Sequence, residues 1–177
     1  MLLNMVFVLE CNDDDKSDAI YLRHVLNSFY ELKTVSNSPV STKTLFMNGK
    51  RNYKSLRSRI ANEKKMFAAS GSQTVVIYIV DLDSDEPQLK KSSLNSDIKA
   101  FCESNEYEFV WMCKNVENVF LHKEPTSLDN KTEAAKTFVR TGIPAMHLHD
   151  LSAHEIKKNC SNLALVLDKY LIRKSDQ

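Results

Sequence analysis

Glycine is nearly missing from this chain, with three in 177 residues. Loops that cradle phosphates on backbone N–H groups need closely spaced glycines. Neither GxGxxG nor GxxxxGK[ST] occurs, which excludes the dinucleotide-binding and P-loop classes. Long apolar runs are lacking too: none approaches the roughly 20 residues that span a bilayer. The apolar start, MLLNMVFVLE, carries neither a basic leading segment nor a small-residue cleavage site, so it reads as a first strand and not a signal peptide. The four cysteines, Cys11, Cys102, Cys113 and Cys160, include no CxxC pair. That spacing argues against a zinc site and a disulfide framework, and fits thiols in a reducing cytoplasm. An excess of one charge sign is also absent: 24 basic side chains face 23 acidic ones. No global field draws the chain to nucleic acid, so any such surface must be local.

What is present is ordinary for a folded protein. Hydrophobic residues make up 42% and charged residues 27%, enough apolar material for one domain over residues 1–177. Residues 5–10 (MVFVLE), 40–47 (VSTKTLFM), 74–81 (TVVIYIVD) and 107–113 (YEFVWMC) read as strands. Residues 18–32, 53–67, 92–104 and 115–122 read as helices between and after them. A helix is also predicted over 133–140, and one or two more over 151–173, while TGIPAMHLHD between them looks irregular. Alternation of this kind implies an α/β fold: an open, mainly parallel four-stranded sheet flanked by helices. Residues 1–122 form its core and 123–177 a C-terminal helical extension. The run TVVIYIV is apolar on both faces, as expected of a central strand covered on both sides.

Acids gather where these strands end. VVIYIVDLDSDE runs straight from the core into Asp81, Asp83, Asp85 and Glu86. Glu10 ends the first strand, and Lys114 and Glu117 follow the fourth. Ligands of open α/β sheets bind outside the carboxyl ends of the strands. In an extended chain Asp81 and Asp83 share a face. Carboxylates held that close repel unless a cation neutralises them, and a hard divalent ion such as Mg²⁺ or Mn²⁺ suits oxygen ligands. The plain alternative is a solvated acidic turn.

This layout resembles the Toprim domain, in which a strand ending in Glu and an amphipathic helix precede a strand ending in DxD. It is most similar to the small RloB-like Toprim proteins of bacterial defence systems, relatives of the OLD-family nucleases. VFVLE-CNDDDK-SDAIYL (6–22) is similar to their strand-EGxTE-helix opening, and VVIYIVDLDSDE to their DxD strand. NVENVFL (115–121) resembles the segment that brings in a further Glu, and NCSNLALVLDKYL (159–171) the closing helix. Two departures stand out: Cys11 replaces the glycine, and DDDK lengthens the link to Ser17. The resemblance implies Mg²⁺- or Mn²⁺-dependent cleavage of nucleic acid by Glu10, Asp81 and Asp83. Glu10 would serve as general acid/base or metal ligand, Asp81 and Asp83 would hold the ion, and Asp18 or Glu117 could hold a second. It also implies a cytoplasmic protein working beside a separately encoded ATPase, or as a homo-oligomer. A non-catalytic Toprim-like module that binds nucleic acid or a partner is the alternative, and Cys11 and the DDDK insert favour it.

The densest basic stretch is KRNYKSLRSR, residues 50–59. If the second helix reaches back to residue 50, then Lys50, Lys54 and Arg57 form one stripe able to meet phosphates. Lys114 is a further candidate there, and a solvated helix face is the alternative. His147, His149 and His154 form a low-specificity metal pattern. Cys11 sits among acids that would raise its pKa, which disfavours a thiolate nucleophile. Asp13, Asp14, Asp81 and Lys114 also echo a phosphoacceptor receiver domain, which is shorter than this chain.

Overall fold

The computed structural model describes residues 2–12, 16–34, 36–83, 93–122, 128–141 and 145–174. Asp13, Asp14, Asp85 and Glu86, singled out above, lie outside the described residues, as does the side chain of His147. The chain runs β1 (Leu3–Leu9), α1 (Ser17–Phe29), β2 (Tyr30–Glu31), β3 (Val40–Phe46), a 3₁₀ turn (Lys50–Asn52), α2 (Arg57–Ala68), β4 (Gln73–Asp81) and α3 (Leu94–Ser104). It continues with β5 (Glu108–Met112), α4 (Val116–Leu121), α5 (Leu128–Thr141), α6 (Ala145–Asp150), α7 (Leu163–Leu167) and β6 (Ile172–Arg173).

Four strands form one sheet in the order β3-β1-β4-β5, every neighbouring pair parallel. This is the expected α/β class. The central strands β1 and β4 are apolar on both faces because helices cover both. Met5, Phe7, Leu9, Ile77 and Ile79 pack toward α1, α4, α5 and α7. Val6, Val8, Val76, Tyr78 and Val80 pack toward α2 and α3. No helix among the described residues is long and apolar enough to cross a membrane.

Three expectations are corrected. The first helix stops at Phe29 and not at residue 32. Tyr30 and Glu31 instead pair antiparallel with Ile172 and Arg173, leaving Leu32 exposed. The second helix begins at Arg57, because the chain turns through left-handed Asn48 (φ 54°) and Gly49 (φ 101°) into the 3₁₀ turn. Tyr53, Leu56 and Ile60 are buried as expected, but Lys50 is not on their helix.

The C-terminal region is the third. Only Leu163–Leu167 within 151–173 is helical, while Ala145–Asp150 in the "irregular" stretch is a helix. The segment before α7 serves the sheet instead. β5 is an edge strand, and an uncovered edge invites unwanted pairing. Asn162 closes it like a short strand: Trp111 N donates to its Oδ1 (2.9 Å) and its Nδ2 donates to the Phe109 carbonyl (3.1 Å). Cys113 N donates to the Cys160 carbonyl at 3.0 Å.

Asn162→Ala removes two of these bonds and strands two backbone groups of β5. The expected cost is about 2 kcal/mol, at about 1 kcal/mol per hydrogen bond. Urea denaturation should show a lower midpoint with an unchanged slope. An unchanged midpoint would mean that this segment does not hold the sheet edge.

Candidate functional site at the carboxyl end of the sheet

Because β1, β4 and β5 are adjacent and parallel, their carboxyl ends lie side by side. Glu10 follows β1, Asp81 ends β4, and Lys114 and Glu117 follow β5. Asp18 enters from the first turn of α1, where Ser17 Oγ donates to its Oδ1 at 3.2 Å. Asn115 caps α4 by accepting from Asn118 N at 2.8 Å, which sets Glu117 in the first helical turn. Glu117 is 1% exposed. The backbone amide of Asp81 points at Glu10, with N to Oε2 at 3.4 Å.

The electrostatics follow from burial. The Asp81 carboxyl is pushed well above the usual carboxylate range, first by burial, then by the charges of Asp18, Glu10 and Glu117. Glu10 is also raised, chiefly by burial. The Lys50 ammonium and the Asp81 amide oppose that rise, and Asp83 and Asp18 add to it. Among the described residues these acids outnumber the ammonium groups beside them.

Lys50 answers part of that excess. It is buried, 8% exposed, and its ammonium donates to the Asp83 carboxylate and the Asp81 carbonyl. It also lies 3.6 Å from Glu10 Oε2. A lysine is buried this deeply only when its charge is paired. Lys50 therefore leaves the expected phosphate stripe: it sits on the 3₁₀ turn, aimed inward, while Lys54 and Arg57 remain exposed. Lys54 Nζ sits 5.1 Å from the Tyr53 ring centre and Arg57 Cζ 5.0 Å from that of Phe101. Lys114 is half-buried at a left-handed residue (φ 66°), and its carbonyl accepts from Asp83 N at 2.8 Å.

The paired-acid geometry differs from an extended DxD. The strand ends at Asp81, and Asp83 is left-handed (φ 60°), so strict alternation stops between them. Asp83 turns out to solvent and to Lys50, with its side chain 71% exposed. Asp81 continues the Ile77–Ile79 face toward α1 and α4.

Sequence reasoning missed two contributors. Lys131 Nζ pairs with Glu117 Oε1 at 3.4 Å. The signal was available: Lys131, Ala135 and Phe138 fall at i, i+4 and i+7, and the last two are buried. Tyr21 is fully buried and stacked on Phe120 at 4.9 Å between ring centres. Its hydroxyl has no hydrogen-bond partner among the described residues. Burial and the nearby charges of Glu117 and Asp18 hold its pKa above the usual phenol range.

The donors are all hard oxygens, the kind that suits Mg²⁺ or Mn²⁺. As packed, no three Asp, Glu, His or Cys side chains among the described residues close around one point as metal ligands do. Between Glu10 and Asp83 the place of a cation belongs to Lys50. Asp18, Asp81 and Glu117 are the remaining acids at this end of the sheet. Of the histidine pattern, His149 and His154 are exposed and the His147 side chain lies outside the described residues; His122, which is not in that pattern, has its Nε2 3.1 Å from Asp150 Oδ2. No disulfide joins the four cysteines.

No protein-family model matches the chain, and comparison with curated proteins and with solved structures returned no match.

The raised carboxyls make a signed prediction. Where the folded pKa of an acid exceeds its unfolded value, the folded state binds more protons between the two, and stability falls as pH rises through that window. For Asp81 the window starts near its ordinary 3.8 and runs upward. In chelator at neutral pH, Asp81→Asn should melt about 3 °C higher than wild type, the shift about 1 kcal/mol gives a chain of this size. The difference should shrink as pH falls through the carboxylate range, where Asp81 is protonated anyway. Equal melting temperatures at neutral pH would show that Asp81 is not held against its charge.

Proposed function

We propose that this chain is a Mg²⁺- or Mn²⁺-dependent nuclease of Toprim type, cleaving nucleic acid phosphodiesters at the acidic end of its sheet. The observation that carries the reading is the convergence of Glu10, Asp81 and Glu117 from three neighbouring parallel strands, with Asp18 beside them. A role in bacterial anti-phage defence, with a separately encoded ATPase as partner, rests on the resemblance alone.

When bound, a divalent ion would polarise a phosphodiester and offset charge building on it. Asp18, Asp81 and Glu117 would hold that ion. Glu10, its carboxyl raised chiefly by burial, would be the group that exchanges a proton. Lys50 would keep Glu10 and Asp83 oriented, and Lys131 would steady Glu117.

A path for the nucleic acid lies next to this end of the sheet. A groove of about 510 Å³ between α1 and β3 is lined by Lys16, Arg23, Lys43, Thr42 and Thr44 over an apolar floor that includes Ile20 and Phe46. Among the described residues none that lines it is acidic. Lys43 also lies 3.8 Å from Glu63. Backbone phosphates are met by such cations and hydroxyls. This groove fits the task better than the stripe through Lys50.

A second reading has its own observation. Lys50 already pairs with Glu10 and Asp83, as expected of a Toprim-like module that binds nucleic acid without cutting it. One experiment separates the two. The protein is incubated with plasmid, single-stranded DNA and RNA in Mn²⁺. Under the nuclease reading, cutting requires the ion and falls by at least about 10²-fold in Glu10→Ala, the usual scale for a lost proton-transfer group. Arg23→Glu with Lys16→Glu should weaken binding in both readings. Binding without cutting, with or without Mn²⁺, favours the module; cutting that survives both chelator and Glu10→Ala rejects the assigned site.

A further inference from the structure

We propose that the outer face of α2, with the turn before it, is a second nucleic-acid surface that grips a duplex by its phosphate backbone without reading its sequence. The class of partner rests on the nucleic-acid reading above. The surface itself involves neither the acidic site nor a metal ion.

Charge marks it first. Residues 51–68 carry six cations, Arg51, Lys54, Arg57, Arg59, Lys64 and Lys65, against one acid, Glu63. Lys64 is half-buried and the other five cations are exposed. Glu63 lies 3.8 Å from Lys43 of β3, which brings a further cation to this side. In a chain of net charge +1 this is a strong local field. The packing of α2 marks it again. A surface helix normally gives a whole apolar stripe to the core. Of the twelve residues of α2 only Ile60 is buried.

Three of the cations are held in place by aromatic rings. Arg57 and Lys64 are seven residues apart, about two turns along one side of the helix. Arg57 Cζ sits 5.0 Å from the ring centre of Phe101 and Lys64 Nζ 4.6 Å from that of Tyr107. Lys54 Nζ is 5.1 Å from that of Tyr53. Cations at this range are attracted to the ring, so less side-chain freedom is lost when a phosphate arrives.

The same contacts select the partner. Single strands are held by bases stacked on open aromatic faces. Tyr53 and Phe101 are buried, Tyr107 is stacked on Tyr78 at 5.8 Å between ring centres, and each of the three carries a cation. These rings leave no platform for a base. A helix lying in a membrane surface needs large apolar side chains outward, and Met66 is the one that α2 exposes, at 60%. Protein interfaces are built on apolar and aromatic anchors and are poor in lysine. Phosphates need only the cations. Arg57 opens α2 just after the turn that sends Lys50 to Glu10, so the surface starts at the acidic end of the sheet. It lies on the face of the sheet opposite the α1–β3 groove.

Binding in chelator tests this apart from cleavage. The full chain is titrated into a fluorescein-labelled short duplex in EDTA and followed by anisotropy over roughly 50 to 200 mM salt. Duplexes of unrelated sequence should bind alike. Arg57→Gln with Lys64→Gln and Lys65→Gln should flatten the slope of log K against log salt by up to about 3, at about 0.9 per lost contact. Arg59→Gln with Lys65→Gln, which touches none of these rings, should flatten it by up to about 2. Lys157→Gln with Lys158→Gln, exposed lysines elsewhere, should leave it unchanged. Circular dichroism melts check that each variant folds. An unchanged slope in both α2 variants, a loss confined to single strands, or binding to phosphatidylserine vesicles without binding to DNA overturns the proposal. So does wild type that binds no duplex at the lowest salt. Duplex binding with these slopes by a chain that never cuts in Mn²⁺ supports the proposal and rejects only the nuclease reading.

Discussion

The constraint on which this site turns is the excess, among the described residues, of carboxylates over ammonium groups at the carboxyl end of the sheet. Parallel strands deliver their last residues to one edge, and here three neighbours deliver acids. Repulsion among partly buried carboxylates must be met by protons, cations or conformational change. All three responses are visible. Asp81 and Glu10 hold protons more tightly than usual. Lys50 and Lys131 are drawn inward from segments that would otherwise be surface. Asp83 leaves the strand direction altogether.

Most of the fold was legible because apolar runs of strand length cannot be mistaken when they repeat. TVVIYIV had to be central and MVFVLE had to be a strand, and once helices alternate with such runs a parallel sheet follows; that β1 is central too came from the structure. The strand ends were therefore legible too, and with them Glu10 and Asp81. What escaped was set by contacts remote in sequence. Nothing local shows that Tyr30 and Glu31 leave their helix to pair with Ile172 and Arg173. Nor does local pattern show that Asn162 stands in for a strand at the edge of β5, since a single side-chain amide has no periodicity.

The two lysines escaped for a different reason. A charged residue in a polar segment is read as solvated, and usually that is right. Lys50 sits in the most basic stretch of the chain, which made an outward phosphate-binding role the natural expectation. The left-handed turn at Asn48 and Gly49 reverses its direction. One of the few glycines thus does its work beside Glu10 after all, by way of the β3 loop instead of the residue following the strand.

That substitution bears on what Cys11 means. In the Toprim pattern the resemblance calls for glycine directly after the first Glu, where a backbone can turn tightly or approach a phosphate. Here the backbone freedom next to Glu10 is supplied by Gly49, whose N–H binds the Glu10 carbonyl. The same turn brings in Lys50. The loop after β3 therefore brings both backbone freedom and a fixed ammonium to Glu10. Gly49 and Lys50 thus act on Glu10 together, the glycine through its backbone carbonyl and the lysine through its carboxylate.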